Sequence, residues 1–219
     1  MSEIRFKLSK IKHGYKDKAL ESSLIVHNQE GNKVIAYLIP VGEWICSETD
    51  LLNDIAKWRN KFIRFYLTQF KADLDNARKY IRGKIESDPP SIFFIIADES
   101  LNYIGHIGFS NISTECAELD NVLLGRSTNV PYLMRLVETS CLNWAKDYLG
   151  ISKIVLRVLS YNFLAINLHK ECGFKIEQEV SIKKIFYPGY IKYEACDLDE
   201  SDTLFSYLLM KRELVSTQL

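Results

Sequence analysis

The order of strand-like and helix-like segments in the second half of the chain restricts the fold more than any other feature. The run SIFFIIADESLNYIGHIGFSNIS predicts a β-hairpin whose turn lies in Asp98 to Asn102. AELDNVLLG predicts a third strand, and apolar residues then recur at helical spacing from Pro131 to Leu149. The remaining predicted elements are a strand at 151–159, a helix at 163–172 and segments around 178–186 and 203–212. The resulting order, β-β-β-α-β-α-β-β, predicts a mixed α/β fold.

The first ninety residues add elements without an evident domain boundary. KVIAYLIPVG predicts a strand, and LLNDIAKWRNKFIRFYL, residues 51–67, has helical apolar spacing. A further helix over about 73–86 starts at an Asp or Asn cap and ends before Asp88-Pro89-Pro90. The chain contains no internal repeat, low-complexity segment or Pro/Gly-rich linker. We therefore expect one domain over residues 1–219, with an N-terminal extension at about 1–45.

Composition argues against several classes of protein. Lys plus Arg and Asp plus Glu both number 28, so no net charge favours nucleic acid or an anionic membrane. The five cysteines are scattered and lack CxxC spacing, which indicates a reduced chain without a disulfide framework or zinc site. The N-terminus is charged throughout, and the longest apolar run, IFFIIA, is far shorter than the roughly 20 residues of a membrane span. We expect a cytoplasmic protein that needs no metal.

A strand-loop-helix junction in LDNVLLGRSTNVPYLM is the first candidate binding site. Unpaired backbone N–H groups and the helix dipole point toward such a junction, and phosphates suit it. Pro131 suits the first position of the helix, and Gly150 suits its end. The loop has one glycine, Gly125, and lacks both GxGxxG and GxxxxGK[ST], so an ordinary strand-to-helix connection remains open. Arg126 is either a cation for a phosphate or a solvated side chain.

Two short motifs carry a resemblance to a known family. In NFLAINLHKECGF, the residues Asn162, Ala165, Gly173 and Phe174 fit the closing pattern of the GNAT superfamily of acyl-CoA-dependent N-acetyltransferases, which the segment from about 92 to 174 resembles. KWRN at 57–60 and the DNVLLG strand are similar to members that acetylate nucleotide-linked amino sugars. The resemblance implies a GNAT fold, in which helices flank a central, mostly antiparallel, twisted sheet. It also implies direct transfer of an acetyl group from acetyl-CoA to an amine.

The resemblance further implies a donor site. In it, backbone N–H groups around 122–124 stabilise the thioester oxygen as negative charge develops there, and the following loop holds the pyrophosphate. The family's loop usually has the pattern Q/R-x-x-G-x-G/A, whereas no second glycine follows Gly125 here. Asn162 either hydrogen-bonds the coenzyme arm or caps the helix, and these two uses compete for one side chain. The implied donor-binding residues are Val122, Leu123, Leu124, Gly125, Arg126, Ser127, Thr128, Asn129, Val130 and Asn162.

His169 occupies the place where the family commonly has a tyrosine that protonates the departing coenzyme thiolate. Helical spacing places it on one face with Ala165, Leu168 and Cys172. A thiol has a pKa near 8.5 and histidine a pKa near 6.5, so an imidazole is able to deliver that proton at neutral pH. The alternative is a core histidine that is satisfied by one hydrogen bond, and the sequence leaves both roles open.

Three polar residues on predicted strands are candidates for the base that receives a proton from the acceptor amine. They are His106 in IGHIGF and Glu118 and Asp120 in AELDN, although a polar residue on a half-buried strand usually faces solvent. Strand alternation places Glu118, Asp120 and Val122 on one face of the sheet. The acceptor itself is expected to meet the KWRN motif, whose candidate substrate-binding residues are Trp58, Arg59 and Asn60.

These features predict an acetyl-CoA-dependent N-acetyltransferase that acts on a primary amine, with a small nucleotide-linked amino sugar as the acceptor. Two alternatives stay open. One is acetylation of a protein or peptide N-terminus, which needs an open groove, and the other is a non-catalytic module that binds acyl-CoA or a partner. Nucleic acid and membrane are not expected partners, and association into a homodimer is left open.

Overall fold

The computed structural model describes residues 2–12, 15–88 and 90–214, and its centre is a sheet of eight strands. The strands are β1 (Leu24–His27), β2 (Val34–Pro40), β3 (Thr68–Gln69), β4 (Ile92–Asp98), β5 (Tyr103–Ser110), β6 (Cys116–Leu124), β7 (Lys153–Leu159), β8 (Lys175–Val180), β9 (Ile182–Tyr187), β10 (Tyr190–Ala195) and β11 (Tyr207–Glu213). The helices are α1 (Ser2–Lys12), α2 (Lys16–Glu21), α3 (Thr49–Lys61), α4 (Leu74–Ile85), α5 (Leu133–Trp144) and α6 (Phe163–Glu171).

The large sheet has the order β1-β2-β4-β5-β6-β7-β11-β8, and a small second sheet has the order β3-β10-β9. All neighbouring strands of the large sheet are antiparallel except β6 and β7, which are parallel. One face of the sheet packs against α1, α5 and α6, and the other packs against α2, α3 and α4. The predicted mixed α/β fold with a mostly antiparallel central sheet is therefore confirmed.

The parallel strands β6 and β7 stay together only at their beginnings. Cys116, Ala117 and Glu118 pair with Lys153, Ile154 and Val155, and no pairing continues beyond these residues. The rest of β6 remains bonded to β5, and the rest of β7 remains bonded to β11. Because each strand follows its own half of the sheet, a gap opens between them, and it becomes the cleft described below.

A bulge in β6 changes which side chains face this gap. Asn121 has a positive φ of 57°, and at this point the pairing with β5 gains one residue on β6. Beyond the bulge, Val122 packs in the same core cluster as Leu119, whereas Leu123 packs in the cluster on the opposite face. The prediction that Val122 shares a face with Glu118 and Asp120 is therefore wrong, because simple alternation does not continue through a bulge.

Several predicted boundaries are correct, and their local causes are visible. Helix α4 begins after Asp73, whose carboxylate accepts a hydrogen bond of 2.8 Å from Asn76 N. Gly150 and Gly173 have φ of 75° and 85°, and they follow the helical segments that they were expected to end. Asp98 accepts hydrogen bonds from the N–H groups of Ser100 and Asn102, which closes the β4–β5 hairpin. Pro89 lies outside the described residues.

Other boundaries differ from the predictions. Helix α5 begins at Leu133 rather than at Pro131, because Tyr132 adopts a left-handed conformation with φ of 56°. Helix α3 ends at Lys61, and the aromatic, β-branched run that follows it turns away into a short 3₁₀ segment. The two strand-like segments predicted after residue 174 are four strands, because Ser181 separates β8 from β9 and the turn at 188–189 folds β10 back onto β9.

Candidate active site

The gap between β6 and β7 is a cleft with a volume of about 750 Å³. Regular elements form one wall, and an irregular segment that follows α3 forms the opposite wall. The lining includes 118–124 of β6, 156–159 of β7, Met134 of α5, Asn162, Leu164, Ala165, Leu168 and His169 at α6, Tyr80 and Lys84 of α4, and Arg59, Phe62, Phe65, Tyr66, Leu67, Thr68 and Phe70. This size and this mixture of apolar walls with a few polar groups are typical of a small-molecule site.

The regular wall of the cleft is formed by β6 and by the starts of α5 and α6. It contains the residues expected to bind the donor, and we call it the donor wall. Beyond Glu118, the edge of β6 that faces β7 has no strand partner, so backbone groups of 122–124 line the cleft. Tyr132 gives α5 no side-chain cap, which leaves the N–H groups of its first turn without a capping partner. Asn162 lies on the cleft and also caps α6, where its Oδ1 accepts a bond of 3.4 Å from Ala165 N.

Polar groups of the loop between β6 and α5 are bound to other groups of the protein. The N–H groups of Gly125 and Arg126 both donate to the carbonyl oxygen of Ile104. The Arg126 guanidinium forms an ion pair with Asp54 of α3 on the protein surface. The N–H group of Val130 donates to Thr128 Oγ1. Residues 125–130 are not part of the cleft lining, whereas Met134 in the uncapped first turn of α5 is.

The KWRN motif positions the acceptor wall, and its three residues do so in different ways. The ring of Trp58 is buried against Gly125, where a Cβ atom would lie only 2.2 Å from Trp58 Cδ2. Asn60 holds both polar backbone groups of Ala72, with hydrogen bonds of 2.8 Å to its N–H group and its carbonyl oxygen. Trp58 and Asn60 therefore support the wall from behind, and only Arg59 lines the cleft.

Arg59 is clamped at the acceptor end of the cleft. Its guanidinium carbon lies 4.2 Å from the ring centroids of both Tyr66 and Phe70, and its NH2 group donates to the carbonyl oxygen of Thr68 at 2.8 Å. Burial lowers the pKa of Arg59. Among the described residues, Arg59 Nε is the one fully buried side-chain nitrogen or oxygen that lacks a hydrogen-bond partner. This nitrogen is closed to solvent, so a molecule in the cleft would meet the guanidinium only through its other N–H groups.

The two carboxylates predicted as bases both line the cleft, and both form ion pairs. Glu118 accepts a bond of 2.7 Å from Arg157. Asp120 accepts bonds of 2.7 Å from Lys84 Nζ and from the Ser110 hydroxyl. Burial alone would raise the pKa of Asp120, but the Lys84 ammonium and these hydrogen bonds lower it overall. A carboxylate held in its ionised form by a cation is a weak proton acceptor.

His106, the third predicted base, lies behind the acceptor wall. Its Nδ1 is 2.7 Å from the carbonyl oxygen of Asn121, and because a carbonyl can only accept, Nδ1 carries a hydrogen. Burial lowers the pKa of His106 to about 4, so the ring is neutral at pH 7. The ring borders a small cavity of about 20 Å³ that it shares with Arg59, Tyr66 and others, enough for about one water molecule.

His169 lines the cleft and bonds to a buried carboxylate. Its Nδ1 lies 3.0 Å from both oxygens of Glu138 on α5, and its ring contacts Phe174 edge-on. His169 is 5% exposed and Glu138 is 0% exposed. The histidine thus has the single hydrogen bond of a core residue and the cleft position of a catalytic one.

Sequence reasoning did not identify several residues of this site. Tyr80 of α4 donates a bond of 2.6 Å to Asn121 Oδ1, and Lys84, one helical turn later, contacts Asp120. The i, i+4 spacing of these two residues on a predicted helix was the available signal. The sequence signal for Glu138 was a charged residue on the apolar face of its helix, between Val137 and Cys141. The aromatic residues that follow α3 had no such signal in the sequence, because they reach the cleft only through an irregular turn.

Comparison with known families identifies the protein class. The profile described as acetyltransferase (GNAT) domain matches residues 46–175, which is more than half of the chain. The chain belongs to the GNAT acetyltransferases. As a member of this family it is an N-acetyltransferase that uses acetyl-CoA as the acetyl donor for an amine. The separated β6 and β7 strands, the free edge of β6 and the uncapped α5 fit that donor.

Solved structures share the fold at low identity. Spermidine N-acetyltransferase from Vibrio cholerae in complex with CoA and spermine is 18% identical, with a TM-score of 0.59 over 81% of this chain and 95% of that chain. Microcin C7 self immunity acetyltransferase MccE in complex with acetyl-CoA and AMP is 14% identical, with a TM-score of 0.61 over 82% and 93% of the two chains. No curated protein sequence matches the chain significantly.

Two further observations concern membranes and metals. Among the helices of residues 2–12, 15–88 and 90–214, none combines the length and the apolarity required to cross a bilayer. In the same part of the chain, no three His, Cys, Asp or Glu residues are grouped so that they could bind a metal ion.

Proposed function

We propose that this enzyme acetylates the primary amine of a small molecule that also carries an anionic group, with nucleotide-linked amino sugars as members of that class. The observation that carries the proposal is Arg59, a clamped cation that lines the acceptor end of the cleft and forms no ion pair among the described residues. A diphosphate or a carboxylate on the acceptor would pair with the part of this guanidinium that faces the cleft. The similarity of KWRN and DNVLLG to sugar-acetylating members supports the same class.

The charges of the cleft support an anionic acceptor over a polyamine. Glu118 and Asp120 are neutralised by Arg157 and Lys84, and Arg59 forms no ion pair among the described residues. The acceptor end therefore has an excess of positive charge, which repels an oligocation such as spermidine. The segment from 62 to 72 and the β9–β10 hairpin, which pairs with β3, cover this end and favour a small molecule over a protein N-terminus.

The proposed chemistry is a direct transfer. The amine nitrogen attacks the carbonyl carbon of the donor thioester, the carbon–nitrogen bond forms, and the carbon–sulfur bond breaks with its electron pair going to sulfur. Backbone N–H groups among 122–124 stabilise the negative charge that develops on the carbonyl oxygen. The first turn of α5 holds the pyrophosphate of the donor. His169 gives a proton to the sulfur, so that free CoA leaves as a thiol.

The test is an acetylation assay that records release of the CoA thiol and the mass of the product. The panel contains a nucleotide-linked amino sugar, the same amino sugar without its nucleotide, spermidine, and a peptide with a free N-terminus. We expect kcat/KM for the anionic acceptor to exceed that for its uncharged counterpart by about tenfold or more, as a charge-assisted hydrogen bond provides.

Each contrary result has a clear meaning. Activity on spermidine alone would contradict the anionic class and favour a polyamine acceptor, and activity on the peptide alone would favour N-terminal acetylation. Absence of thiol release with every acceptor, together with thermal stabilisation by acetyl-CoA, would indicate a non-catalytic binding module. Saturation at 100 times the dissociation constant stabilises a protein by about 2.7 kcal/mol, which is readily measured.

A further inference from the structure

Glu138 is a buried carboxylate that contacts His169. It lies on the face of α5 that contacts α6, has no exposed surface, and places both oxygens 3.0 Å from His169 Nδ1. Buried carboxylates persist only where they are paired or hydrogen-bonded. Burial and the charge of Glu138 raise the pKa of Cys172 to about 12, so this neighbouring thiol stays protonated.

The pair fixes which nitrogen of His169 faces the cleft. A carboxylate can only accept a hydrogen bond, so Nδ1 carries a hydrogen and the neutral ring has its lone pair on Nε2. No residue in the described part of the chain bonds to Nε2. Nε2 is also not fully buried, because Arg59 Nε is the one fully buried side-chain nitrogen or oxygen there that lacks a partner. His169 Nε2 therefore remains in contact with the open cleft that His169 lines.

The other groups predicted to accept a proton are engaged elsewhere. Glu118 is paired with Arg157, and Asp120 is paired with Lys84. His106 lies behind the acceptor wall and borders the small cavity near Arg59 rather than the main cleft. His169 is the titratable side chain on the cleft that has a backing carboxylate and an open nitrogen.

We propose that His169 Nε2 receives the proton that the attacking amine loses and passes it to the sulfur, with Glu138 as the positioning residue that holds the required tautomer. The inference rests on the proposed acetyl transfer. As the carbon–nitrogen bond forms, one proton moves from nitrogen to Nε2, and as the carbon–sulfur bond breaks, the same proton moves from Nε2 to sulfur. The products are the N-acetylated amine and the CoA thiol, and no proton is exchanged with solvent in the balance.

Glu138→Gln is the decisive variant, because glutamine has nearly the same shape but can donate its amide N–H to Nδ1. The ring can then adopt the other tautomer, in which Nε2 carries a hydrogen and cannot accept the amine proton. We expect kcat to fall by about a hundredfold or more with donor KM within about twofold. The nitrogen-15 shifts of His169 should show Nδ1–H in the wild type and a larger Nε2–H fraction in the variant. The Asp-to-Asn change in the serine-protease triad impairs catalysis through the same effect on a histidine tautomer.

Controls separate packing from proton transfer. Cys141→Ala, one turn further along α5, should lower the melting temperature and leave kcat of the folded enzyme unchanged. His169→Tyr supplies a proton donor that does not accept a proton at neutral pH, so it should be as impaired as His169→Ala. Normal turnover of Glu138→Gln, or substantial activity of His169→Tyr, would overturn the shuttle while leaving His169 as a simple acid. A wild-type protein that releases no thiol would instead refute the proposed function.

Discussion

The donor and acceptor walls of the cleft are built on different principles. The donor wall consists of a strand and the starts of two helices, and its key side chains follow from helical and strand periodicity. The acceptor wall is the irregular segment 62–72, held by Arg59 through Thr68 and by Asn60 through Ala72, and joined to the β9–β10 hairpin through β3. The proposed transfer chemistry thus rests on regular elements, and the proposed selection of the acceptor rests on a few side chains that fix irregular backbone.

The largest effect is expected on the donor wall. His169→Ala removes the group proposed to protonate the sulfur, so turnover should fall by about a hundredfold or more with little change in donor affinity. Steady-state kinetics with thiol detection and calorimetry with acetyl-CoA measure the two quantities. If the variant melts early but its folded fraction turns over normally, His169 is a packing residue and the donor wall lacks an acid at this position.

His106, which lies behind the acceptor wall, should make the stability of the protein depend on pH. The pKa of His106 is about 4 in the folded protein against an ordinary value of 6.5. Between these values the unfolded chain binds a proton and the folded chain does not, so the free energy of unfolding falls as the pH falls. The loss between pH 7 and pH 5 should be about 2 kcal/mol.

Urea unfolding at the two pH values measures that loss, and the His106→Asn variant is the control. Asparagine retains a donor toward the carbonyl oxygen of Asn121 but does not titrate. The variant should therefore lose about 2 kcal/mol less than the wild type over the same interval, whatever its stability at pH 7. Equal losses in both proteins would show that the burial of His106 does not control its protonation.

The acceptor wall should respond separately from the donor wall. Arg59→Gln removes a cation that forms no ion pair among the described residues, so KM for an anionic acceptor should rise by about tenfold while acetyl-CoA affinity stays the same. Arg64→Gln is a matched control, because Arg64 is exposed and follows α3 on the same segment without lining the cleft. Equal effects of the two substitutions, or a loss of donor affinity in Arg59→Gln, would contradict the separation of the walls.

The smallest effect is expected at the loop between β6 and α5. Arg126→Glu reverses a surface charge beside Asp54 and close to the start of α5, so acetyl-CoA should bind about two- to threefold more weakly at low salt. Arg126→Gln should bind the donor as the wild type does. Calorimetry at two salt concentrations measures both variants, and a tenfold loss with Arg126→Gln would instead give this side chain a direct contact with the donor.

The fold was more predictable than the site because its signals are local. Asp73 before α4, Gly173 after α6 and the apolar hairpin at 91–113 each specify a boundary through nearby residues. The positions of Trp58 and Asn60 were expected at the acceptor, but they depend on Gly125 and Ala72, which are distant in sequence. The bulge at Asn121 was equally hidden, because no rule of alternation indicates where a strand gains a residue.

The short pairing between β6 and β7 has a consequence for mechanics. The two halves of the large sheet are joined within the sheet by the pairing of residues 116–118 with residues 153–155 and otherwise by helices that pack across one face. A change in the angle between the halves would therefore break few backbone hydrogen bonds, together with the Glu118–Arg157 ion pair. The hydroxyl of Tyr161, just after β7, donates to the carbonyl oxygen of Arg64 and so ties the β7 half of the sheet to the segment that follows α3.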